Sequence, residues 1–225
     1  MDNELEFPEK MDSFFNQRAD GYDTHMENTI ISFNDFYKKI SDPIESYNDN
    51  IEILDLGCGT GIEFQYLFNK NPEIKITGID LSEKMLAKLR EKYKDKMNQI
   101  KLIKGSYLSY KIKKNHYDYI ISVLTLHHLT YEKKLKLYKN ILAGLKENAY
   151  YIEADYIVSE EEEKLFIEKC QKQISLLGKN EIKEGYHIDI PFSVKTQIKI
   201  LQEANFNDIE IIFQNEKSTI VKAKK

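Results

Sequence analysis

Three glycines at alternate positions, Gly57-Cys58-Gly59-Thr60-Gly61, follow the apolar run Ile53-Leu54-Asp55-Leu56 and precede a helical pattern that runs to about residue 69. Glycine reaches positive φ and lets a ligand approach the backbone with no Cβ in the way. The helix opening behind such a loop presents free N–H groups and a partial positive charge, suited to a carboxylate or a phosphate. Asp80 closes the next apolar run, 19 residues after Gly61. A carboxylate at that strand end can accept both hydroxyls of a ribose. The plain alternative is a tight turn that holds nothing. It is weakened by the joint presence of strand, glycine loop, helix and strand-end acid.

Two cofactor classes use this geometry. The dinucleotide fingerprint is G-x-G-x-x-G, and Ile62 stands where its third glycine belongs. The spacing here is G-x-G-x-G. Residues 53–61 resemble the first motif of class I methyltransferases that use S-adenosylmethionine (SAM). The stretch Gly78-Ile79-Asp80-Leu81-Ser82-Glu83-Lys84-Met85-Leu86 resembles the acidic motif that follows it. Residues 117–129, from Tyr117-Asp118-Tyr119 to Leu126-His127-His128-Leu129, are similar to the fourth-strand region of the small-molecule branch. Phe15-Asn16-Gln17-Arg18-Ala19-Asp20-Gly21-Tyr22-Asp23 is similar to the segment that precedes the core in many of those enzymes.

The resemblance covers roughly residues 11–225 and implies a set of roles. Gly57, Gly59 and Gly61 border the methionine part of SAM. Asp55 holds the loop and orients the amino group, and Asp80 binds the ribose. Leu81 and Met85 pack near the adenine. Gly105-Ser106-Tyr107 lies where the family often has Gly-Asp, so Ser106 stands in for the acid at the adenine edge. Ser122 and Val123 lie beneath the methionine moiety, and Arg18 and Tyr22 cover it. The Pro-Gly-Gly turn common before the fifth strand is replaced by Lys146-Glu147-Asn148-Ala149, in which Asn tolerates the left-handed conformation.

The elements that must position these residues follow from apolar periodicity. Strands are expected at 51–56, 75–79, 100–104, 117–124 and 150–158, alternating with helices. A hairpin is expected over 206–214 and 219–223. The predicted fold is α/β, a Rossmann-like seven-stranded mixed sheet ordered 3-2-1-4-5-7-6, with strand 7 antiparallel and helices on both faces. Helices at 11–26 and 29–39 place residues 1–50 as an N-terminal segment over the cofactor site. Residues 51–225 form the SAM-binding domain. Its helical and loop insertion at about 159–191 opens on the capping box Ser159-Glu160-Glu161-Glu162.

Composition narrows the acceptor. The formal net charge is -4, and Arg18 and Arg90 are the only arginines. Nucleic-acid binders concentrate positive charge and favour arginine, so nucleic acid is not the expected partner. The fourth strand ends in Ser122-Val123-Leu124-Thr125, neither the Asn/Asp-Pro-Pro-aromatic motif of DNA amino methylation nor the Pro-Cys of pyrimidine C5 methylation. The expected reaction is methyl transfer from SAM to a small molecule. The alternatives are an RNA or protein methyltransferase, a non-catalytic SAM-binding sensor or partner subunit, and a dinucleotide-dependent reductase.

Positioning carries most of such a displacement, so a catalytic residue is hard to read; His128, Tyr22 and His187 are the candidates. His127 is expected to cap or pack, and His128 to line the cleft. His187, Asp155 and Asp189 could join the two histidines in a metal site, but no short paired ligand motif is present and no metal is expected. Cys58 and Cys170 have neither metal-ligand nor disulfide-framework spacing. With no apolar run near the ~18 residues that span a bilayer and no signal-peptide core, a cytoplasmic protein without membrane partners is expected.

Overall fold

The computed structural model describes residues 7–46, 51–177 and 185–225. Three helices come first: α1 (Met11–Arg18), α2 (Tyr22–Thr29) and α3 (Phe33–Ser41). The strands are β1 (Glu52–Leu56), β2 (Lys75–Asp80), β3 (Ile100–Lys104), β4 (Tyr117–Val123), β5 (Leu145–Tyr156), β6 (Asn207–Gln214) and β7 (Ser218–Lys224). The helices between them are α4 (Ile62–Lys70), α5 (Glu83–Lys92), α6 (Tyr131–Gly144), α7 (Glu160–Leu176) and α8 (Val194–Glu203).

All seven strands form one sheet, in the order β3-β2-β1-β4-β5-β7-β6. β1 to β5 pair in parallel, and β7 runs antiparallel to both β5 and β6. Order and strand direction are those the alternating pattern predicts. Successive residues feed opposite cores. Ile53, Ile121, Ile152 and Ile220 enter one cluster, and Leu54, Ile120, Tyr151 and Val221 the other. Burial on both faces is why the central strands read as continuous apolar runs rather than alternating ones.

Among the boundaries that differ from the expectation, two have a clear local reason. The single helix expected over 11–26 is two helices joined by a 3-10 turn at Ala19–Gly21. Gly21 lowers helix propensity there. The break lets α1 lie on the start of α5 while α2 turns over the glycine loop: Asn16 Oδ1 accepts from Ser82 Oγ (2.8 Å) and Lys84 N (3.2 Å), and Thr60 Oγ1 donates to Asp23 (2.5 Å). The fifth strand starts at Leu145, not Tyr150. Leu145 pairs with Tyr117 and Tyr150 with Tyr119, so residues 146–149 bulge, with Asn148 at φ 63° as its turn role requires.

The capping box forms as read: Ser159 Oγ accepts from Glu162 N (3.2 Å), and Glu162 accepts from Ser159 N (2.9 Å). Residues 178–184 of the expected insertion loop lie outside the described residues. Beyond them the chain returns to the N-terminal segment. Met11 N donates to Gly185 O (3.1 Å) and His187 N to Glu9 O (2.9 Å), with an antiparallel bridge between Lys10 and Tyr186. The two segments expected to cover the site are thus joined to each other. Among the described residues, no helix is long and apolar enough to cross a membrane.

Candidate active site

At the carboxyl ends of β1 and β2, the glycine loop and Asp80 are bound into one unit. Asp80 Oδ2 accepts from Gly59 N (2.9 Å) and Oδ1 from Ser82 N (2.7 Å). Each oxygen keeps further lone-pair capacity, which two ribose hydroxyls can use. Burial pushes the Asp80 pKa up, opposed by the backbone N–H groups of Ser82 and Gly59. Gly57 sits at φ +84°, and a Cβ there would run into the Thr125 hydroxyl and lie 2.8 Å from Thr125 Cβ. We therefore expect Gly57→Ala to cost about 1–3 kcal/mol of stability and to weaken S-adenosylhomocysteine binding at least about tenfold. Chemical denaturation and calorimetry check both; wild-type values would mean the loop is slack.

A cavity of about 390 Å³ opens over this unit, lined by Gly57, Asp80, Leu81, Ser106, Tyr107 and Thr125 among others. A second, of about 620 Å³, lies under α1 and α2, with Arg18, Tyr22, Leu124, Tyr156, His187 and Asp189 in its walls. Phe15 and His128 line both cavities and stand between them. Tyr107 donates its hydroxyl to Thr125 O (3.2 Å) and fixes the rim of the first.

Several assigned residues lie elsewhere. Asp55 is fully buried against Glu63, has no hydrogen bond to the glycine loop, and does not hold it. Asp80 does that through Gly59. Met85, Ser122 and Val123 line neither cavity. Met85 is buried within α5, Val123 packs in the core, and Ser122 Oγ bonds Tyr151 Oη (2.7 Å) inside the sheet layer. Gly105 contributes backbone, its N donating to Asp80 O (2.9 Å). Arg18 stacks on Phe14 at 3.5 Å and donates to Phe14 O (3.1 Å). Asp155, which the sequence offers beside His187 and Asp189 as a possible metal ligand, is buried behind His127. It accepts from His127 Nδ1 (2.6 Å), Leu126 N (3.0 Å) and Tyr156 N (2.9 Å). Sequence reasoning missed Phe15, Leu124 and Thr125 as lining residues; their types carry no chemical signal.

Asp55 lies against Glu63, on the first turn of α4. Burial raises both carboxyls, Glu63 to about 7, and they can share one proton. Because the folded pKa of Glu63 exceeds its unfolded value, its contribution to stability is full below the unfolded pKa, near 4.5, and is lost as pH rises through about 7. Glu63→Gln should remove that slope. Between pH 4.5 and 8, wild type should lose about 2–3 kcal/mol relative to the variant. Parallel stability curves for the two proteins would show that the carboxyls share no proton.

His127, His128, His187 and Asp189 converge on the wall of the larger cavity. Burial, then the charge of neighbouring rings, holds His128 and His187 below the ordinary histidine value, His187 at about 4. Burial acts to raise Asp189, but the His128 hydrogen bond and the three rings bring it down. The rings of His128 and His187 are therefore neutral at pH 7, facing an ionised carboxylate.

Comparison with known proteins agrees with this geometry. Residues 53–148 match the methyltransferase domain family. The carboxy-S-adenosyl-L-methionine synthase of Helicobacter pylori is 30% identical over 190 residues, covering 80% of this chain and 78% of that protein. The enzyme of the same name from Nautilia profundicola is 23% identical over 92% of this chain and 91% of its own. Among solved structures, human N-acetylserotonin methyltransferase in complex with SAM superposes with a TM-score of 0.65 at 15% identity, over 94% of this chain and 56% of that one. The chain spans little more than half of that structure, and at this identity the likeness is one of fold.

The chain belongs to the class I SAM-dependent methyltransferases. It is a SAM-dependent enzyme of the Rossmann-like type, and its cofactor is SAM. The residues present fit that cofactor: a carboxylate with spare acceptor capacity at a strand end, and a loop whose first glycine leaves no room for a Cβ.

Proposed function

We propose that the protein methylates a small molecule held in the larger cavity. The observation that carries this is the shared wall of Phe15 and His128, with the Asp80 cavity on one side and the cavity of about 620 Å³ on the other. SAM supplies an electrophilic methyl on a sulfonium. The adenosine part lies over Asp80, Leu81 and Ser106, and the methionine part crosses Gly57 towards Leu124. Tyr22 and Arg18 close the far side. α1 and residues 185–190 roof the site and exclude water, which favours an in-line displacement that depends on alignment. Burial holds the Tyr22 hydroxyl well above its ordinary pKa, so it donates hydrogen bonds and does not act as a base at neutral pH. His128 is the residue placed to accept a proton from the acceptor. The roof leaves the cavity scaled to a metabolite rather than to a polymer.

A second reading is carried by the nearly full-length similarity to carboxy-SAM synthases: SAM itself would be the molecule modified. Mass spectrometry of SAM incubated with the protein, pools of small methyl acceptors and, separately, pools of carboxylic acids able to give up a carboxyl group separates the two. Acceptor-dependent S-adenosylhomocysteine supports methylation. Carboxylated SAM without S-adenosylhomocysteine supports the second reading. Turnover of neither kind, in a protein that binds S-adenosylhomocysteine, would contradict both and leave a SAM-binding sensor.

A further inference from the structure

His127 and His128 follow β4, while Asp189 arrives from the segment after α7. Their donor atoms nevertheless meet: one ring nitrogen from each of His127 and His128 and one Asp189 carboxylate oxygen all lie within 4.8 Å of one another. Asp189 Oδ1 is 3.9 Å from His127 Nε2 and 3.2 Å from His128 Nδ1. Two donors each about 2.0–2.1 Å from one ion stand roughly 3–4 Å apart, so these separations need little adjustment to close on a metal. His187 Nε2 is 3.9 Å from Asp189 Oδ1 but does not join this group of mutually close donors.

The arrangement behind the donors is the stronger observation. His127 Nδ1 is bonded to buried Asp155 at 2.6 Å, and Asp155 is itself fixed by two backbone N–H groups. That bond makes Nδ1 the protonated nitrogen and leaves the Nε2 lone pair facing Asp189. A carboxylate behind a histidine, setting its tautomer and ring plane, is the outer support that metal-binding histidines use.

We propose that His127, His128 and Asp189 bind one divalent transition-metal ion of the zinc or iron(II) class, with Asp155 as the outer support. Two imidazoles and a carboxylate favour such ions over calcium or magnesium, which take oxygen donors. Three protein donors leave a coordination position open, as sites that act on substrates do. That position faces the larger cavity. The role that follows rests on the acceptor reading above, with the ion taking over the task assigned there to His128, whose Nδ1 now binds the metal: the accepting heteroatom takes the open position in place of water and gives its proton to solvent. The lone pair so freed is the one that meets the methyl group. In the metal-free protein the Nδ1–H of His128 has other partners, Asp189 and Ile188 O at 3.3 Å, and binding displaces that proton.

The test is titration of the full chain, purified free of metal, with Zn²⁺ by calorimetry and with Co²⁺ by visible absorption. One ion per chain is expected, with Co²⁺ giving bands of nitrogen and oxygen coordination. Asp189→Asn, at a half-exposed position that leaves the fold intact, should weaken Zn²⁺ binding roughly 100-fold or more, and Asp155→Asn about 10- to 100-fold. S-adenosylhomocysteine is titrated into wild type and Asp189→Asn in parallel. No stoichiometric Zn²⁺ binding, or binding indifferent to Asp189→Asn and His128→Ala, would overturn the metal site while cofactor binding stands. Zn²⁺ binding without S-adenosylhomocysteine binding would instead overturn the functional reading alone.

Discussion

Lys134→Met is expected to destabilise the protein by about 3–5 kcal/mol, because it leaves a buried carboxylate without its counter-charge. Lys134 on α6 is 2% exposed and Glu153 on β5 is fully buried, with Lys134 Nζ 2.7 Å from Glu153 Oε1. That approach is a charge contact rather than an aligned hydrogen bond, since the same oxygen has no hydrogen-bond partner. The other oxygen of Glu153 accepts from the hydroxyls of Tyr138 and Tyr151, and Tyr151 bonds Ser122 on β4. The network therefore runs from a helix through the sheet to the strand whose end carries Leu124, Thr125 and His128. For a chain of this size, about 2–4 °C of melting temperature goes with each kcal/mol, so a drop of roughly 6–20 °C is expected. Adding Glu153→Gln should recover at least half, because a neutral amide still accepts from the tyrosines. A single variant within about 1 kcal/mol of wild type would show that solvent or a rearranged side chain neutralises Glu153.

Asp80→Ala is expected to weaken S-adenosylhomocysteine binding by about 2–4 kcal/mol, roughly 30- to 1,000-fold. Two ribose hydroxyls lose a charged acceptor, and Gly59 N and Ser82 N lose the side chain that holds loop and helix together. Calorimetry on the folded variant measures it. The melting temperature of the ligand-free variant separates the two effects, since loosening of the loop lowers it and loss of the ribose contact does not. Unchanged affinity would mean that the ribose is bound elsewhere.

The cofactor half of the site was legible because it is local. The glycine loop, Asp80 and Leu81 follow one another within a single strand–helix–strand unit, and the periodicity of the strands fixes where that unit sits. Ser122 and Val123, expected beneath the methionine moiety, line neither cavity, because alternation along β4 tells which residues share a face but not where the strand end turns. Leu124, at φ 52°, begins that turn and brings itself and Thr125 to the cavities. The buried network was hidden by its own lysine. The inward stripe of α6 is Lys134, Leu137, Tyr138 and Ile141, and a charge at its head shifts the apparent stripe to Leu135, Tyr138 and Leu142. The histidine cluster is a possibility that the sequence offers but that spacing alone argues against. Its members lie on two distant segments that meet only because Ile190 N bonds His127 O (2.6 Å) and the following chain is drawn back over β4.

The account stands on one placement: a nucleoside on Asp80, with its sulfur at the wall that Phe15 and His128 share. A crystal structure of the protein with S-adenosylhomocysteine measures it directly. The predicted result has both ribose hydroxyls on Asp80, the adenine beside Leu81 and Ser106, and the thioether sulfur directed into the cavity that holds His127, His128 and Asp189. A ligand whose ribose lies away from Asp80, or whose sulfur faces solvent with the larger cavity closed off behind it, would contradict the account.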